Sequence, residues 1–316
     1  MYALQKAAFD TLMSMNLDQY DAIITWSPFH SINPVMVKLK KHRPGVRWLA
    51  QFSDPWAGNP LEWSRLTKVW NWWHQPSTVR TADFIVHSSN HSRDLMMDGY
   101  SAAFMNKTEV IPHPFDEDLF PKRPKARNVR ITLRYVGVLF GRRSPEPLFE
   151  ALNELLKQKS DLMRKIVVEL VGSLPSEMLC TSAARSLPAG LIKHISSVSY
   201  LESLEKMYDA DILLLIEADT KRNLFVPSKL SDYMGARTPI IGIAPPGGSD
   251  DVLRDLKCWY ARPKDIQGIS RALGAAIEYV ANGSKDPWCD ENYRRGFNND
   301  VVAECFIDII NRIKAI

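Results

Sequence analysis

The sequence predicts an α/β protein built from two parallel-sheet domains. Its 316 residues are enough for two domains of ~150 residues each. Short apolar runs alternate with helical stretches in both halves, which is typical of parallel strands joined by helical crossovers. A basic, proline-containing segment at 120–127 lies between the halves and indicates a linker.

The first half predicts one amphipathic helix followed by four strands. The helix is expected at residues 2–15, and apolar runs at 22–26, 48–52, 84–87 and 109–111 predict the strands. We therefore expect a first domain over 1–119 and a linker over 120–130.

The second half alternates more regularly and predicts a domain over 131–287. Its expected strands lie at 131–139, 166–172, 192–198, 211–216, 239–244 and 258–261, with helices such as 145–158 and 265–281. Because ligands of parallel sheets bind beyond the carboxyl ends of the strands, the loops after Gly137 and Glu217 are candidate sites. A last helical segment at 288–316 is expected to pack back on the first domain.

Composition favours a soluble, cytoplasmic protein. The net charge of +4 is too small to imply nucleic acid, although it allows weak attraction to an anionic membrane surface. The four cysteines lack CxxC spacing, so we expect reduced thiols and no zinc site or disulfide framework. The sequence has no signal-peptide pattern and no apolar run of about 18 residues, so we expect neither export nor membrane crossing.

The stretch 225–240, FVPSKLSDYMGARTPI, predicts a loop, a short helix and a buried strand. Ser228 would cap the helix by accepting a bond from an N–H one turn further on. Helix N-termini hold phosphates, and Asp232 would lie one turn behind, where it could accept bonds from ribose hydroxyls. These residues suit a nucleotide diphosphate, and an ordinary capped strand–helix–strand unit fits them equally.

Five segments, in chain order, resemble motifs of glycosyltransferase family 4. Residues 48–56, WLAQFSDPW, resemble its DFRDPW strand end, with Ser53 where arginine is common. Residues 82–88, ADFIVHS, resemble ADxIVxxS, and residues 110–116, VIPHPFD, are similar to VIPNGxD. Residues 135–145, YVGVLFGRRSP, resemble YxGxLYxxRxP, and residues 225–240 resemble xxPxKLxEYxxxxxPIIG.

The resemblance implies a GT-B-like fold, with two Rossmann-like parallel-sheet domains facing a cleft and a C-terminal helix returning to the first domain. It implies sugar transfer from a nucleotide-diphosphate donor to a glycan or lipid-linked acceptor, with retained configuration, in cell-surface polysaccharide assembly. No metal or cofactor is expected. Because the family's opening strand and glycine loop have no counterpart here, we expect the first domain to be shortened at its N-terminus.

The resemblance assigns several residues to the donor's diphosphate. Gly137 would open a loop beside the donor, although an ordinary turn glycine fits as well. Either Arg142 or Arg143 would neutralise the leaving diphosphate, and the sequence leaves open which one. Pro227 matches the proline that precedes the family's diphosphate-binding helix.

The same helix supplies the remaining donor residues. Ser228 and Lys229 would offer backbone N–H groups, and the Lys229 ammonium would add charge. Asp232 matches the second glutamate of the family's E-x7-E pattern, which binds ribose. The first glutamate falls on Leu224, so that carboxylate is missing, and Asn223 is its possible polar replacement.

Two polar residues that follow predicted strands are candidates on the acceptor side. Asp54 lies where family members keep a polar residue beside the reacting sugar, and it could position the acceptor hydroxyl or take its proton. An aspartate that caps the turn before Pro55 is the alternative. His30 follows the strand at 22–26, where a loop histidine without chemistry is the more ordinary interpretation.

Five of the nine tryptophans lie between residues 56 and 73. Four residues at helical spacing predict a stripe facing the core: Trp63, Leu66, Trp70 and Trp73. Arg65, Lys68 and Trp72 are predicted on the opposite face, which suits an anionic membrane surface or a lipid-linked acceptor as well as plain solvent. A peripheral location on the inner face of the cell membrane follows from the first interpretation.

Two other functions remain open. A GT-B-like nucleotide-sugar epimerase would need several carboxylates around the sugar, and the loss at Leu224 argues against it. A catalytically silent nucleotide-sugar-binding or assembly subunit would accommodate a shortened first domain. A nucleic-acid partner is not expected, because the basic residues are scattered. The base, sugar, acceptor and oligomeric state are not indicated.

Overall fold

The computed structural model describes residues 2–27, 29–60, 62, 64–126, 128–284 and 286–315. They form two units, each with its own parallel sheet. The first unit contains the residues up to His113 together with those from Asp300, and the second runs Pro114–Asn299.

Four parallel strands form the sheet of the first unit, in the order in which they follow along the chain. The strands are β1 Ile23–Trp26, β2 Trp48–Phe52, β3 Phe84–His87 and β4 Thr108–Val110. Strands β2 and β3 are buried along their whole length. Alternate residues of β2 enter different cores, since Trp48 and Leu49 belong to separate apolar clusters.

The crossovers of the first unit are helical. The helices are α1 Tyr2–Ser14, α2 Asn33–His42, α3 Arg65–Thr81, α4 Asn90–Met97 and α5 Ala102–Met105. Helix α3 is capped by Ser64, whose hydroxyl accepts a bond from the Thr67 N–H at 3.2 Å.

Helix α3 does not bury the apolar stripe that the sequence predicted. Leu66 and Trp73 are 84% and 79% exposed, and Trp70 is only half-buried. Trp63 lies outside the described residues. The prediction of a core-facing stripe is therefore wrong for Leu66 and Trp73.

The buried face of α3 is polar because it binds the loop that follows β2. The Trp56 indole N–H donates to Asn71 Oδ1 at 2.8 Å, and the Ala57 N–H donates to Gln75 Oε1 at 2.8 Å. Gln75 also donates to the Met96 carbonyl at 3.1 Å. Buried polar groups need such partners, so the amides of α3 satisfy the loop and the helix turns its large apolar side chains outward.

The second unit has a sheet of six parallel strands in the order β10-β9-β8-β5-β6-β7. The strands are β5 Ile131–Val136, β6 Ile166–Val171, β7 Ile192–Ile195, β8 Ile212–Ile216, β9 Ile240–Ile243 and β10 Trp259–Ala261. The chain leaves the central strand β5 in one direction and returns to its other side with β8. The direction of strand order therefore reverses between β5 and β8, which is where open parallel sheets bind ligands.

Helices cover both faces of this second sheet. They are α6 Glu146–Gln158, α7 Ser160–Met163, α8 Ser182–Arg185, α9 Tyr200–Tyr208, α10 Ser228–Gly235, α11 Gly248–Asp255, α12 Ile266–Ala281 and α13 Glu291–Arg295. Helices α6 and α12 share one apolar cluster, and α9, α10 and α11 share another.

The segment of the expected linker that the structure describes is bound to the second unit. Arg123 forms a bidentate ion pair with Asp209, in which its two terminal nitrogens donate to Oδ1 at 2.9 Å and to Oδ2 at 2.7 Å. Lys125 donates to Thr238 Oγ1 at 2.6 Å. These contacts hold the segment along the amino-terminal side of the second sheet, next to the residues before β8 and β9.

The chain ends with helix α14, Asn299–Lys314, which packs on the first unit. Val302, Ile309 and Ile313 of this helix join the apolar cluster that contains Leu49 and Phe84. Across the described residues, no helix combines the length and apolar character needed to cross a bilayer.

Candidate functional site

The candidate site of the second unit lies at the carboxyl ends of β5 and β8. Helix α10 is fixed there by Tyr233, a fully buried residue of that helix. Its hydroxyl accepts a bond from the Val136 N–H at 3.0 Å and donates to the Leu214 carbonyl at 3.1 Å. One side chain thus ties the helix to both strands at the reversal point, so the helix N-terminus has a defined position.

Four side chains meet at this point, and we call them the switch-point cluster: Tyr135, Arg143, Glu217 and Lys229. Lys229 Nζ donates to the Tyr135 hydroxyl at 2.7 Å and lies 4.4 Å from the centre of its ring. Arg143 donates to Glu217 Oε2 at 3.0 Å. The cluster therefore combines two cations with one carboxylate.

Burial changes the acid–base properties of Lys229. Burial and the nearby Arg143 lower the pKa of its ammonium, Glu217 partly opposes them, and the resulting pKa is about 8. The ammonium remains mostly charged at neutral pH, but the charged form is only weakly favoured over the neutral amine. An anion placed beside it would favour its charged form.

The ion pair of the cluster leaves hydrogen-bonding capacity unused. Glu217 is buried, yet its Oε1 has no partner among the described residues, and the same holds for Nε of Arg143. Buried polar atoms are normally paired, so this part of the cluster suits a ligand or ordered water.

The two candidate arginines lie in different surroundings. Arg143 is half-buried within the cluster, whereas Arg142 is exposed. Arg142 lines a cavity of about 420 Å³ together with Asp219 and Glu217, so this cavity borders the cluster. Of the two, only Arg143 is joined to Lys229 through the cluster.

Gly137 brings the backbone close to the Lys229 ammonium. Its φ of +141° lies in a region that side chains disfavour. A Cβ at this position would lie 2.7 Å from Lys229 Nζ. The loop after β5 therefore needs glycine to leave room for the charged group.

The N-terminus of α10 has a different cap from the one predicted. Pro227, in an extended conformation, is the N-cap, and Ser228 is the first helical residue, so the predicted capping by Ser228 is wrong. The Leu230 N–H donates to the Pro227 carbonyl at 2.9 Å, and none of the described side chains caps the helix. Within the described residues no side chain accepts a bond from the Ser228 or Lys229 amide, so these two amides suit an external anion.

Asp232 lies one turn into α10 and has a partner that sequence reasoning missed. Tyr200, the first residue of α9, donates its hydroxyl to Asp232 Oδ1 at 3.0 Å. Burial raises the pKa of the Asp232 carboxyl, the Tyr200 bond partly opposes that shift, and the resulting pKa is about 6. Tyr200 thus helps to keep Asp232 ionised near neutral pH.

Asn223 is bonded within its own loop. The Phe225 N–H donates to Asn223 Oδ1 at 3.0 Å, and Asn223 Nδ2 donates to Ser249 Oγ at 3.3 Å. Its backbone also bridges to Gly247. These bonds hold the loop before α10, and none of them favours the predicted role as a replacement for the missing glutamate.

The acceptor-side candidates lie in the first unit, at the carboxyl ends of β1 and β2. The loop that carries Asp54 is held by two serines from neighbouring strand ends. The Ser53 N–H donates to Ser27 Oγ at 2.8 Å, and the Ser88 hydroxyl donates to the Ser53 carbonyl. Asp54 is half-buried, and burial raises its pKa, which makes the carboxylate a better proton acceptor.

His30 is held by aromatic packing. Its ring stacks on Trp56 at 5.1 Å and on Phe52 at 5.7 Å between centroids. Burial lowers its pKa to about 4, so the imidazole is neutral at pH 7. The remaining first-unit candidates, Arg65, Lys68 and Trp72, are exposed on α3.

Sequence reasoning missed three members of the site: Tyr135, Tyr200 and Glu217. Tyr135 and Glu217 border apolar strand runs, and Tyr200 follows a capping serine. A polar residue at the carboxyl end of a buried strand was the available signal for Glu217. Nothing in the local sequence connects Tyr200 with Asp232, which is 32 residues away.

Comparison with known proteins identifies the fold. By sequence, neither a family model nor a curated protein matches the chain. Among solved structures, Anabaena Alr3699/HepE in complex with UDP and glucose matches with a TM-score of 0.70 and 12% identity, over 98% of this chain and 82% of that one. A glycosyltransferase from Rickettsia africae matches with a TM-score of 0.68 and 12% identity, over 98% and 80%.

A third match is the UDP-forming α,α-trehalose-phosphate synthase of Burkholderia xenovorans in complex with glucose-6-phosphate. Its TM-score is 0.67 at 12% identity, over 98% of this chain and 78% of that one. The predicted fold class, GT-B-like with two parallel-sheet α/β domains, is thereby confirmed. At these identities the similarity establishes the fold of the chain and leaves its reaction to be argued from the site.

Proposed function

We propose that the chain is a glycosyltransferase that moves a sugar from a nucleotide-diphosphate donor to a glycan or lipid-linked acceptor. The observation that carries the proposal is the switch-point cluster beside the uncapped N-terminus of α10. Lys229 and Arg143 supply the cations, and the first amides of α10 supply donors. This combination suits a diphosphate.

In this proposal each donor residue has one role. Arg143 and Lys229 bind the diphosphate oxygens, together with the amides of Ser228 and Lys229. Asp232 accepts bonds from the ribose hydroxyls, one helical turn behind the phosphates. Gly137 keeps the space beside the ammonium open. Uridine is the base we favour, because the similar HepE structure is a complex with UDP.

The chemistry requires stabilisation of a leaving nucleoside diphosphate. Its negative charge grows as the bond to the sugar breaks, and fixed cations beside it lower the barrier. Arg143, Lys229 and the α10 amides can do this without a metal ion. Retention of configuration and a role in cell-surface polysaccharide assembly are what the motif resemblance implies, and we include both in the proposal. Asp54 is our candidate for positioning the acceptor hydroxyl.

Calorimetric titration with UDP and GDP tests donor binding, and release of free sugar from UDP-sugars tests donor cleavage. We expect UDP binding to weaken strongly in Arg143→Ala. The matched control is Arg142→Ala, since the two arginines are adjacent and Arg142 lies outside the cluster. Equal affinity of all three proteins for UDP would contradict the proposed phosphate site.

A second candidate function is a catalytically silent subunit that binds nucleotide sugars. One observation favours it: Leu224 occupies the position of the missing carboxylate, and Asn223 is bonded within its loop. Tight UDP binding without sugar release, even with lipid-linked acceptors present, would support this alternative over catalysis.

A further inference from the structure

The outer face of α3 carries large apolar side chains that nothing in the described structure covers. Val69 and Trp72 are 67% and 64% exposed, and Leu66 and Trp73 are more exposed still. Leu66, Val69 and Trp73 follow i, i+3, i+7 spacing, so they form one row. Trp72 follows Val69 at i+3 and therefore borders the row, instead of lying opposite to it as the sequence predicted. We call these four residues the outer apolar row.

This exposure is a consequence of how α3 is anchored. Its inner face is committed to polar contacts, because Asn71 and Gln75 bind the loop after β2. Rotating the helix to bury the apolar row would expose these amides and leave the Trp56 indole N–H unpaired. The apolar face therefore points outward in the stable arrangement of the first unit.

The charge pattern of α3 indicates what the row contacts. The helix contains Arg65, Lys68 and Arg80 and no acidic residue. All three basic residues are exposed, and within the described residues no ion pair involves Arg65 or Lys68. Basic side chains interleaved with tryptophan and aliphatic residues are typical of helices that lie in a phospholipid interface.

The same charges argue against a second copy as the occupant. A symmetric dimer formed through this face would bring Arg65 and Lys68 of both copies together. Because α3 offers no carboxylate to compensate them, the contact would suffer repulsion between like charges. An anionic bilayer places negatively charged headgroups outside an apolar interior. The headgroups can contact the basic residues while the apolar row enters the interior.

We propose that α3 docks the protein on anionic phospholipid bilayers. The outer apolar row enters the boundary between headgroups and acyl chains. Arg65 and Lys68 contact lipid phosphates, and the inner amides keep the helix attached to the first unit. The proposal rests on the first unit alone and does not depend on the proposed glycosyl transfer.

Vesicle flotation with the full chain tests whether Arg65 and Lys68 contribute to membrane binding. The vesicles contain phosphatidylcholine alone or with about one third phosphatidylglycerol. We expect wild type to float with the anionic vesicles. Arg65→Glu/Lys68→Glu should lower its partition coefficient onto them at least about tenfold, because both changes replace attraction to the anionic surface by repulsion. The matched control, Lys157→Glu/Arg164→Glu, reverses two exposed basic residues of the second unit and should float like wild type.

Quenching by lipids brominated on their acyl chains tests insertion of the row. Trp72 and Trp73 should be quenched in wild type, and Trp72→Phe/Trp73→Phe should lose most of that quenching while it still floats. Trp72→Ser/Trp73→Ser should float poorly with an unchanged circular dichroism spectrum, because both residues are exposed. Equal flotation of wild type and both charge variants would overturn the proposal. So would a wild-type dimer that the serine variant dissociates.

Discussion

Lys229 offers the sharpest test of the switch-point cluster, because its charge depends on pH in an accessible range. Burial and the neighbouring Arg143 lower the pKa of its ammonium to about 8 in the protein without ligand. A bound diphosphate would stabilise the ammonium and raise that pKa again. Binding should therefore be coupled to proton uptake at mildly alkaline pH.

The expected size follows from the contact that Lys229 would make. A hydrogen bond to a charged partner is worth roughly 1.5–3 kcal/mol, so Lys229→Met should weaken UDP binding ~10- to 150-fold at neutral pH. In wild type, affinity should fall by up to about tenfold per pH unit above the free pKa, because the free protein loses the proton that the complex keeps. The variant should lack this decline.

Calorimetry in two buffers of different ionisation enthalpy measures both quantities. Near pH 8 we expect wild type to take up about half a proton for each UDP bound, and Lys229→Met to take up none from this site. Lys157→Met is the matched control, since Lys157 is exposed and its pair with Glu154 is a surface contact. A wild-type affinity that stays constant across this pH range would refute the reasoning.

Three further perturbations probe other parts of the structure. Tyr200→Phe removes a bond that lowers the Asp232 pKa, so the loss of UDP binding on acidification should move to higher pH in calorimetry. The control ligand is 2′,3′-dideoxyuridine diphosphate, which lacks the ribose hydroxyls, and the pH dependence of its binding should be the same in both proteins. Gly137→Ala should weaken UDP binding at least about tenfold because its Cβ would meet the ammonium, whereas Gly141→Ala, also at positive φ but in open space, should only lower the melting temperature. Asn71→Leu should cost roughly 1–3 kcal/mol in urea unfolding by leaving a buried indole N–H unpaired, and a smaller loss would count against the polar anchoring of α3.

The strands were predictable because burial on both faces leaves a continuous apolar run. The strand predicted at 211–216 begins one residue before β8 and ends with it, and the strand predicted at 48–52 coincides with β2, in which only Gln51 is polar. The position of β8 beside β5, on the side away from β6, is set by crossovers that leave no local signal. The strand order, and therefore the position of the reversal point, could be determined only from the structure.

Helix α3 shows why periodicity failed. Spacing reveals that Leu66 and Trp73 share a face, but it cannot tell whether that face points inward. The deciding contacts join Asn71 and Gln75 to Trp56 and Ala57, and polar side chains inside a helix carry no periodic signal for burial. The sequence predicted the helix correctly but assigned Leu66 and Trp73 to the core, whereas Asn71 and Gln75 lie there.

The candidate site was partly predictable for a similar reason. Gly137 follows a strand end, and Lys229 and Asp232 lie in the first half of a helix, so their neighbourhood could be inferred from topology. Adjacent loop residues such as Arg142 and Arg143 have no periodicity that separates inside from outside. The choice between them depends on Glu217, a residue of another strand end.

The charge balance of the cluster bears on how it would act in catalysis. With Lys229 protonated, the cluster contains two cations, Lys229 and Arg143, and one carboxylate, Glu217. The ion pair with Glu217 positions Arg143 and also reduces the positive potential around the arginine. A sugar-bound diphosphate lacks the second ionisation that a free terminal phosphate acquires near neutral pH. The leaving nucleoside diphosphate therefore carries more charge than the donor, and the residual positive charge, with the α10 amides, would stabilise it more strongly. Because catalysis depends on this difference, loss of Arg143 or Lys229 should lower kcat more than it raises the KM for the donor.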